Sequence, residues 1–381
     1  MKPVTVGIVG GGQLARMLIL AGAPLGLQFR ILVKERECPA GQVCPDIHVG
    51  DWDNPEVLRQ FGRDCDVVTL ESEFVEAEAL LEAESGGIRI LPTPQSMATI
   101  QDKFLQKSCL ESHGVPLPVF RAVNSPEEVI EAGSACGWPL VLKTRKLGYD
   151  GKGNTTIKDA SDVARGWSAL GAGRIPMLCE GFVSFRRELA MMITTFPDGS
   201  VKTYPVVETI QKDHICHEVL CPAQGDPAIL ELAARTACRA VEAVGAIGTF
   251  GVELFECHDG RVLVNELAPR VHNSGHYTIE ACRTSQFENH IRAVAGLNPG
   301  SSELVYPAAV MMNILGEGSG DNWPPGLLDS LRNSSASIHW YGKTQSQVGR
   351  KMGHVTAVGA SLDDCRNSAT STVRNIYRKP V

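Results

Sequence analysis

At 381 residues the chain is longer than one compact core supports and should divide into two or three domains. A net charge of −7 argues against general affinity for nucleic acid or an anionic membrane, and no segment approaches the length that crosses a bilayer. The 12 cysteines are scattered singly with no Cys-x-x-Cys, which suits neither zinc nor a disulfide framework and points to reduced thiols in a cytoplasmic protein.

Residues 4–9 predict a strand that runs into Gly10-Gly11-Gly12-Gln13, after which Leu14, Met17, Leu18 and Ala21 recur at helical spacing. Strand, glycine turn and helix open a doubly wound α/β unit, with backbone N–H groups free at the helix start for an anion or small phosphorylated ligand. Residues 29–33 and 67–70 predict further strands. Gly7, Gly10 and Gly12 do not give Gly-x-Gly-x-x-Gly, which disfavours a nicotinamide oxidoreductase, although Glu35 follows the second strand where a ribose contact would lie. Glu71 and Glu73 stand at the carboxyl end of a strand, where open sheets bind ligands; the alternative is the acidic start of a helix.

Residues 102–113 predict an amphipathic helix closed by Gly114, and Pro116 and Pro118 beyond it mark a domain boundary. The apolar strand at 138–143 ends in Lys143. Gly148-Tyr149-Asp150-Gly151-Lys152-Gly153-Asn154 follows, before a returning strand at 155–157. Such a loop can fold over a triphosphate, or be a plain glycine hairpin. It is not a Walker loop, because no Gly-Lys-Ser/Thr opens a helix. Residues 177–183 predict another strand, interrupted at Glu180-Gly181, with Glu188 beyond it. Its edge could pair with adenine through main-chain groups, or Glu180 could simply face solvent. Residues 188–195 and 201–207 predict a hairpin, and 227–244 an alanine-rich helix.

The most informative stretch is residues 249–278. Two apolar runs flank Asp259-Gly260, which signals a two-residue hairpin turn. That register sets Glu253 directly opposite Glu266, with Phe255 and Cys257 facing Val264 and Val262. Two carboxylates roughly 5 Å apart repel by about 3–4 kcal/mol at an effective dielectric near 20. A hard cation between them removes the penalty; splayed solvent-exposed side chains or one protonated carboxyl would also relieve it. Arg270, His272, Asn273, Ser274 and His276 then crowd polar groups into one segment. Residues 278–294 predict a single helix, 308–315 a strand, and strands at 338–343 and 355–358 flank the basic Gly349-Arg350-Lys351-Met352-Gly353-His354, a phosphate site or a solvated turn.

A strand ending in lysine, a glycine lid, an adenine edge and a paired-carboxylate hairpin, in that order, resemble the ATP-grasp ligases. Within them the chain resembles the family that carboxylates 5-aminoimidazole ribonucleotide in purine biosynthesis. The resemblance rests on residues 10–17, Tyr149-Asp150-Gly151-Lys152-Gly153, Asn265-Glu266-Leu267-Ala268-Pro269-Arg270 with residues 272–278, and Arg350-Lys351-Met352-Gly353-His354. It implies an ATP-grasp fold of mixed α/β and α+β class. A doubly wound parallel α/β domain (1–106) would precede an ATP-grasp domain (107–298, lid about 115–183) and a small β-rich C-terminal domain (299–381).

The resemblance also implies the chemistry: ATP- and Mg²⁺-dependent carboxylation by bicarbonate (Mn²⁺ could replace Mg²⁺) in a cytoplasmic homodimer. Lys103 and Lys143 would hold phosphates under a lid of Gly148, Tyr149, Asp150, Gly151, Lys152, Gly153 and Asn154. Glu180, Gly181, Phe182 and Val183 would meet adenine, and Glu188 the ribose. Glu253 and Glu266, helped by Asn265, would hold the metal. Tyr149, Arg270 and His272 would face bicarbonate and the acceptor amine, with His272 a candidate base. Lys343, Arg350 and Lys351 would take the ribonucleotide phosphate, and Gly12, Gln13 and Glu73 would complete the acceptor pocket. Leu147 departs from the family's second lid glycine, Gln211 from a histidine near ATP, and Leu70 and Ser72 from aromatic residues. An ATP-grasp ligase with another acceptor and a non-catalytic nucleotide-binding protein are the competing readings.

Overall fold

The structure, a computed structural model, describes residues 2–148, 153–171, 173, 175–320 and 323–377. The first sheet contains β1 (Thr5–Val9), β2 (Gln28–Val33), β3 (Ile47–Val49) and β4 (Val67–Leu70), all parallel, in the order β3-β2-β1-β4. Every residue of β1 is buried, as a strand covered on both faces must be. On one face Leu14, Met17 and Leu18 of helix Gln13–Gly22 pack with Phe287, Ile291 and Val294, so this unit shares a core with the rest of the chain. Leu58, Phe61 and Leu80 cover the other face.

The second sheet is antiparallel, in the order β5-β8-β6-β7: β5 (Phe120–Val123), β6 (Leu140–Thr144), β7 (Asn154–Ile157) and β8 (Met177–Gly181). Val129 and Ala132 of helix Pro126–Cys136 and Val163 of helix Val163–Ala169 seal one face against Leu140, Leu142 and Ile157. The other face carries Lys143.

The remaining strands form one nine-stranded sheet: β9 (Phe185–Thr195), β10 (Val201–Thr203), β11 (Val207–Lys212), β12 (Ile215–Cys221), β13 (Gly248–Cys257), β14 (Val262–Ala268), β15 (Ala308–Leu315), β16 (Ser337–Trp340) and β17 (Lys351–Gly359). The order is β14-β13-β9-β11-β12-β15-β17-β16, with β10 on β9. The C-terminal strands therefore extend the central sheet through β12 and β15. Helix Pro227–Val244 lies against β9, β13 and β14 through Ala233, Ala237, Ala240 and Val241, small residues that let the helix approach closely. Asp226 caps its start by accepting from the Ala228 N–H.

Three sequence expectations need correction. The strand expected at 201–207 is broken at 204–206, where Tyr204 dives into the core and its hydroxyl donates to the Thr284 carbonyl. The single helix expected at 278–294 is two, Thr278–Ala281 and Gln286–Val294, because Ser285 caps the second by accepting from the Glu288 N–H. The strand expected at 338–343 ends at Trp340, while β17 begins at Lys351, which puts Lys351 in a ladder and not on a turn.

The carboxylate hairpin departs more instructively. Cys257 N–H bonds the Arg261 carbonyl at 2.9 Å and Gly260 has φ +82, so the loop has three residues, not two. Leu254, Phe255 and Glu256 consequently pair with Val264, Leu263 and Val262, one step from the expected register. A bulge between Glu253 and Leu254 restores the frame, and Glu253 still faces Glu266. The extra residue is Asn265, and the bulge turns it towards Glu253, to which its Nδ2 donates at 3.3 Å.

Candidate active site

A cleft of about 750 Å³ opens where the three sheets meet. From the sequence-derived set, Gln13, Glu73, Lys103, Lys143, Gly148, Gly153 and Asn154 line it on one side. Glu188, Glu253, Asn265, Glu266, Arg270 and His272 form its floor, and Lys343, Arg350 and Lys351 close the far end. Tyr149, Asp150, Gly151 and Lys152 lie outside the described residues. Glu180, Gly181, Phe182 and Val183 sit at the end of β8 and do not line the cleft, and Gly12 is beneath it.

The floor carries the charge conflict that the hairpin predicts. Burial, then the charges of Glu266 and Glu188, push the Glu253 carboxyl from 4.5 up to about 7. Glu266 is relieved by Lys103, whose Nζ donates to Oε2 at 2.5 Å, and burial of Lys103 is outweighed by this pairing. Two carboxylates and a neighbouring amide oxygen are a hard-oxygen donor set, and one member is uncomfortable in its charged form, which fits a Mg²⁺ shared with phosphate oxygens. The burial of Glu188 likewise raises its carboxyl, while Gln211 beside it lowers it.

Glu180 is not a solvated strand residue. Its side chain is 4% exposed and held between Lys143 at 2.8 Å and Lys107 at 3.2 Å. Burial would raise its carboxyl, but the two lysines outweigh this and hold it at about 2. Lys107, 3% exposed at its side chain, also donates to the Asn265 carbonyl at 3.1 Å. This lysine escaped sequence reasoning. It stands one turn after Lys103 in helix Lys103–Ser112, and the i, i+4 spacing of two lysines on one face was the available signal. It ties Glu180 to Asn265, the bulge residue between the paired carboxylates.

At the N-terminal glycine turn the helix start is not free. Glu71 accepts from Gly12 N–H at 2.8 Å and Ala15 N–H at 3.1 Å, so this protein's own carboxylate occupies the expected anion site. A Cβ on Gly10 would come within 2.2 Å of Glu71 Cγ, and one on Gly12 within 2.7 Å of its Oε1. The glycines make room for this carboxylate. With the turn filled, the dinucleotide reading loses its phosphate site.

Glu73, two residues on, points the other way. Arg270 grips it with two parallel bonds, Nη2 to Oε1 at 2.6 Å and Nε to Oε2. Burial of Glu73 is outweighed by Arg270, which keeps the carboxyl below its ordinary range. His272 follows, placed by Gln286, which accepts from its backbone N–H at 2.9 Å and donates to its carbonyl at 2.7 Å. Gly251 allows the close approach, since a Cβ there would meet His272 Cβ at 2.4 Å. Burial, then Arg270 and Lys351, push the imidazole down to about 3, so His272 is neutral and weakly basic beside these cations. Its Nε2 lies 3.5 Å from Glu253 and its Nδ1 bonds Ser274 Oγ at 2.7 Å. Opposite, Lys343 Nζ donates to the Lys351 carbonyl at 2.6 Å and Arg350 to the Gln345 carbonyl at 2.9 Å, which orders a cationic end wall.

No helix among the described residues is long and apolar enough to cross a membrane. Residues 1–101 match a ribonucleotide synthetase preATP-grasp domain, 108–287 an ATP-grasp domain, and 309–368 a phosphoribosylaminoimidazole carboxylase C-terminal domain. The chain is 39% identical over 96% of its length to the phosphoribosylaminoimidazole carboxylase of Ogataea methanolica, of which it covers 68%. It resembles the carboxyaminoimidazole ribonucleotide synthase of Aspergillus clavatus solved with ATP, at 36% identity and a TM-score of 0.91 over 98% of each chain. Another structure of the Aspergillus clavatus synthase, in complex with ADP and 5-aminoimidazole ribonucleotide, matches at 35% and 0.91 over 99% of each. The N5-carboxyaminoimidazole ribonucleotide synthase of Synechococcus elongatus is 38% identical over 92% of this chain and 88% of its own. The chain therefore belongs to the N5-carboxyaminoimidazole ribonucleotide synthase family of ATP-grasp enzymes.

Proposed function

We propose that the protein carboxylates the exocyclic amine of 5-aminoimidazole ribonucleotide with bicarbonate, converting ATP to ADP and phosphate in purine biosynthesis. The observation that carries this reading is one cleft holding a paired carboxylate, two phosphate-side lysines, the Arg270–His272 segment and a separate cationic wall. Glu253, Glu266 and Asn265 would hold Mg²⁺ (or Mn²⁺), which neutralises phosphate charge during transfer. Lys103 and Lys143 exchange their carboxylate partners for phosphate oxygens, under the lid that the family resemblance expects of residues 148–154.

Bicarbonate is a poor electrophile, and phosphorylation turns it into carboxyphosphate, which water destroys. Positioning and charge neutralisation are what this step needs, and Arg270 supplies both next to His272. Glu73 holds Arg270 in place until the anion arrives. Closure of the lid keeps water from the intermediate. Neutral His272 can accept the amine proton as cations around it are neutralised by substrate anions. Lys343, Arg350 and Lys351 match a ribonucleotide monophosphate in charge. The homodimer and the cytoplasmic location rest on family resemblance alone, and light scattering tests the first.

Phosphate release from ATP, Mg²⁺ and bicarbonate should be stimulated by 5-aminoimidazole ribonucleotide and lost when Glu253 and Glu266 are both changed to Gln. Release indifferent to the acceptor would favour an ATP-grasp enzyme with another substrate. Release indifferent to the double change would remove the metal assignment.

A further inference from the structure

Outside the cleft, the C-terminal part of the sheet builds a second polar cluster. His339 on β16 and His354 on β17 are directly paired across the ladder, with rings stacked at 4.4 Å. Glu280, on the short helix Thr278–Ala281, reaches His339 Nε2 through Oε1 at 2.5 Å. One ligand atom from each of the three residues lies within 4.8 Å of the others. His354 is fully buried, yet its Nε2 has no hydrogen-bond partner, and neither has the buried Oε2 of Glu280. Leaving two buried polar atoms unpaired costs about 1–3 kcal/mol each, so the cluster is built for an occupant.

We propose that Glu280, His339 and His354 form a binding site for a divalent transition metal ion of the zinc class, separate from the nucleotide's metal. Two imidazoles and one carboxylate select Zn²⁺, Co²⁺ or Ni²⁺ over Mg²⁺. The Tyr341 hydroxyl lies 2.9 Å from His354 Nδ1, and when Nδ1 donates to it the buried Nε2 presents a lone pair. Bonds of about 2.0–2.2 Å place tetrahedral ligand atoms about 3.4 Å apart, so Glu280 Oε1 and His339 Nε2, now hydrogen-bonded at 2.5 Å, part by about 1 Å. The His339 ring carries its proton on Nδ1 and turns out of its stack on His354 to aim Nε2 at the ion. His339, 29% exposed, has the freedom to do so and supplies the entry path, while Glu280 is 14% exposed. A water completes the fourth position.

The ion would join the segment after β14, which carries Arg270 and His272, to β17, which carries Lys351. His276, on the cleft wall, packs its ring at a tilt against His354, with centroids 4.8 Å apart. Metal at this point clamps the acceptor side of the cleft without touching either substrate.

The test is Zn²⁺ titration by calorimetry on chelator-stripped protein saturated with MgADP, which occupies the cleft carboxylates, with Co²⁺ absorption reporting the ligands. One ion per chain is expected, and it should survive in the E253Q/E266Q protein. H339A and E280Q should each bind at least about 100-fold more weakly, since even loss of an outer partner of a metal ligand costs 10–100-fold. Zinc should raise the melting temperature of the unaltered protein and not of these variants. Equal affinity in H339A and E280Q, or no zinc beyond that removed by E253Q/E266Q, overturns the proposal and leaves a bridging water between Glu280 and His354. Should either variant fail to fold, a Co²⁺ spectrum of the unaltered protein without nitrogen ligation overturns it equally.

Discussion

Replacing Glu253 with Gln should make the metal-free protein more stable while destroying its activity. A carboxyl moved from 4.5 to about 7 by burial and by Glu266 and Glu188 corresponds to at most about 3.4 kcal/mol between its two protonation states. A third of the Glu253 side chain is exposed, at 33%, so solvent screening reduces this to about 1–2 kcal/mol. The sign follows from proton binding. The folded protein holds this proton more tightly than the unfolded chain, so stability is full below about 4.5 and falls as pH rises through about 7. Glutamine carries no charge at any of these values. In EDTA at pH 8, Glu253→Gln should raise the apparent melting temperature by about 1–3 °C, given the unfolding entropy of a chain this long. At pH 5 most of that gain should vanish. MgATP should narrow the difference by stabilising the unaltered protein alone. A variant no more stable than the parent at pH 8, or a gain equal at both pH values, would refute the reasoning.

Arg270→Lys breaks the two-bond grip on Glu73 and should lower acceptor-stimulated phosphate release by about 100-fold while ATP affinity, measured by calorimetry, changes less than about threefold. Lys107→Met leaves the buried Glu180 with Lys143 alone and should cost about 3 kcal/mol, read as a melting point about 4 °C lower with a raised KM for ATP; an unchanged melting point contradicts it. Because Glu180 is held at about 2, its stabilisation is present above about 4.5 and lost as pH falls towards 2, and Lys107→Met should weaken that acid-side dependence. Leu147 adopts φ +64 with its side chain 64% exposed, so Leu147→Gly should relieve about 1 kcal/mol of backbone strain and raise the melting temperature slightly. A lower one would show that the leucine packs on something in the closed lid.

Local pattern carried much of the fold and brought the chemistry together. Strand β15 and helix Pro227–Val244 follow directly from their apolar spacing and turn residues. Glu253 and Glu266 meet as expected even though the turn was misread, because loop and bulge offset each other. What escaped prediction is long-range. Glu71 reads equally as ligand or helix start until its partner, 59 residues earlier in the chain, is seen to be the glycine turn. Lys107 and Glu180, too, become a buried pair only through tertiary packing. The break in the 278–294 helix was legible, since Ser285 and Glu288 make an N-terminal capping signature inside an otherwise helical pattern.

The continuity of the central sheet bears on how the two halves of the reaction are kept in register. Five inter-strand steps separate β13, which bears Glu253, from β17, which bears Lys351. Laid flat they would stand about 24 Å apart. Both side chains line the same cleft. With Glu253 on the nucleotide's metal and Lys351 on the acceptor's phosphate, as proposed, the span between the two would be set by the continuous strand pairing through β9, β11, β12 and β15.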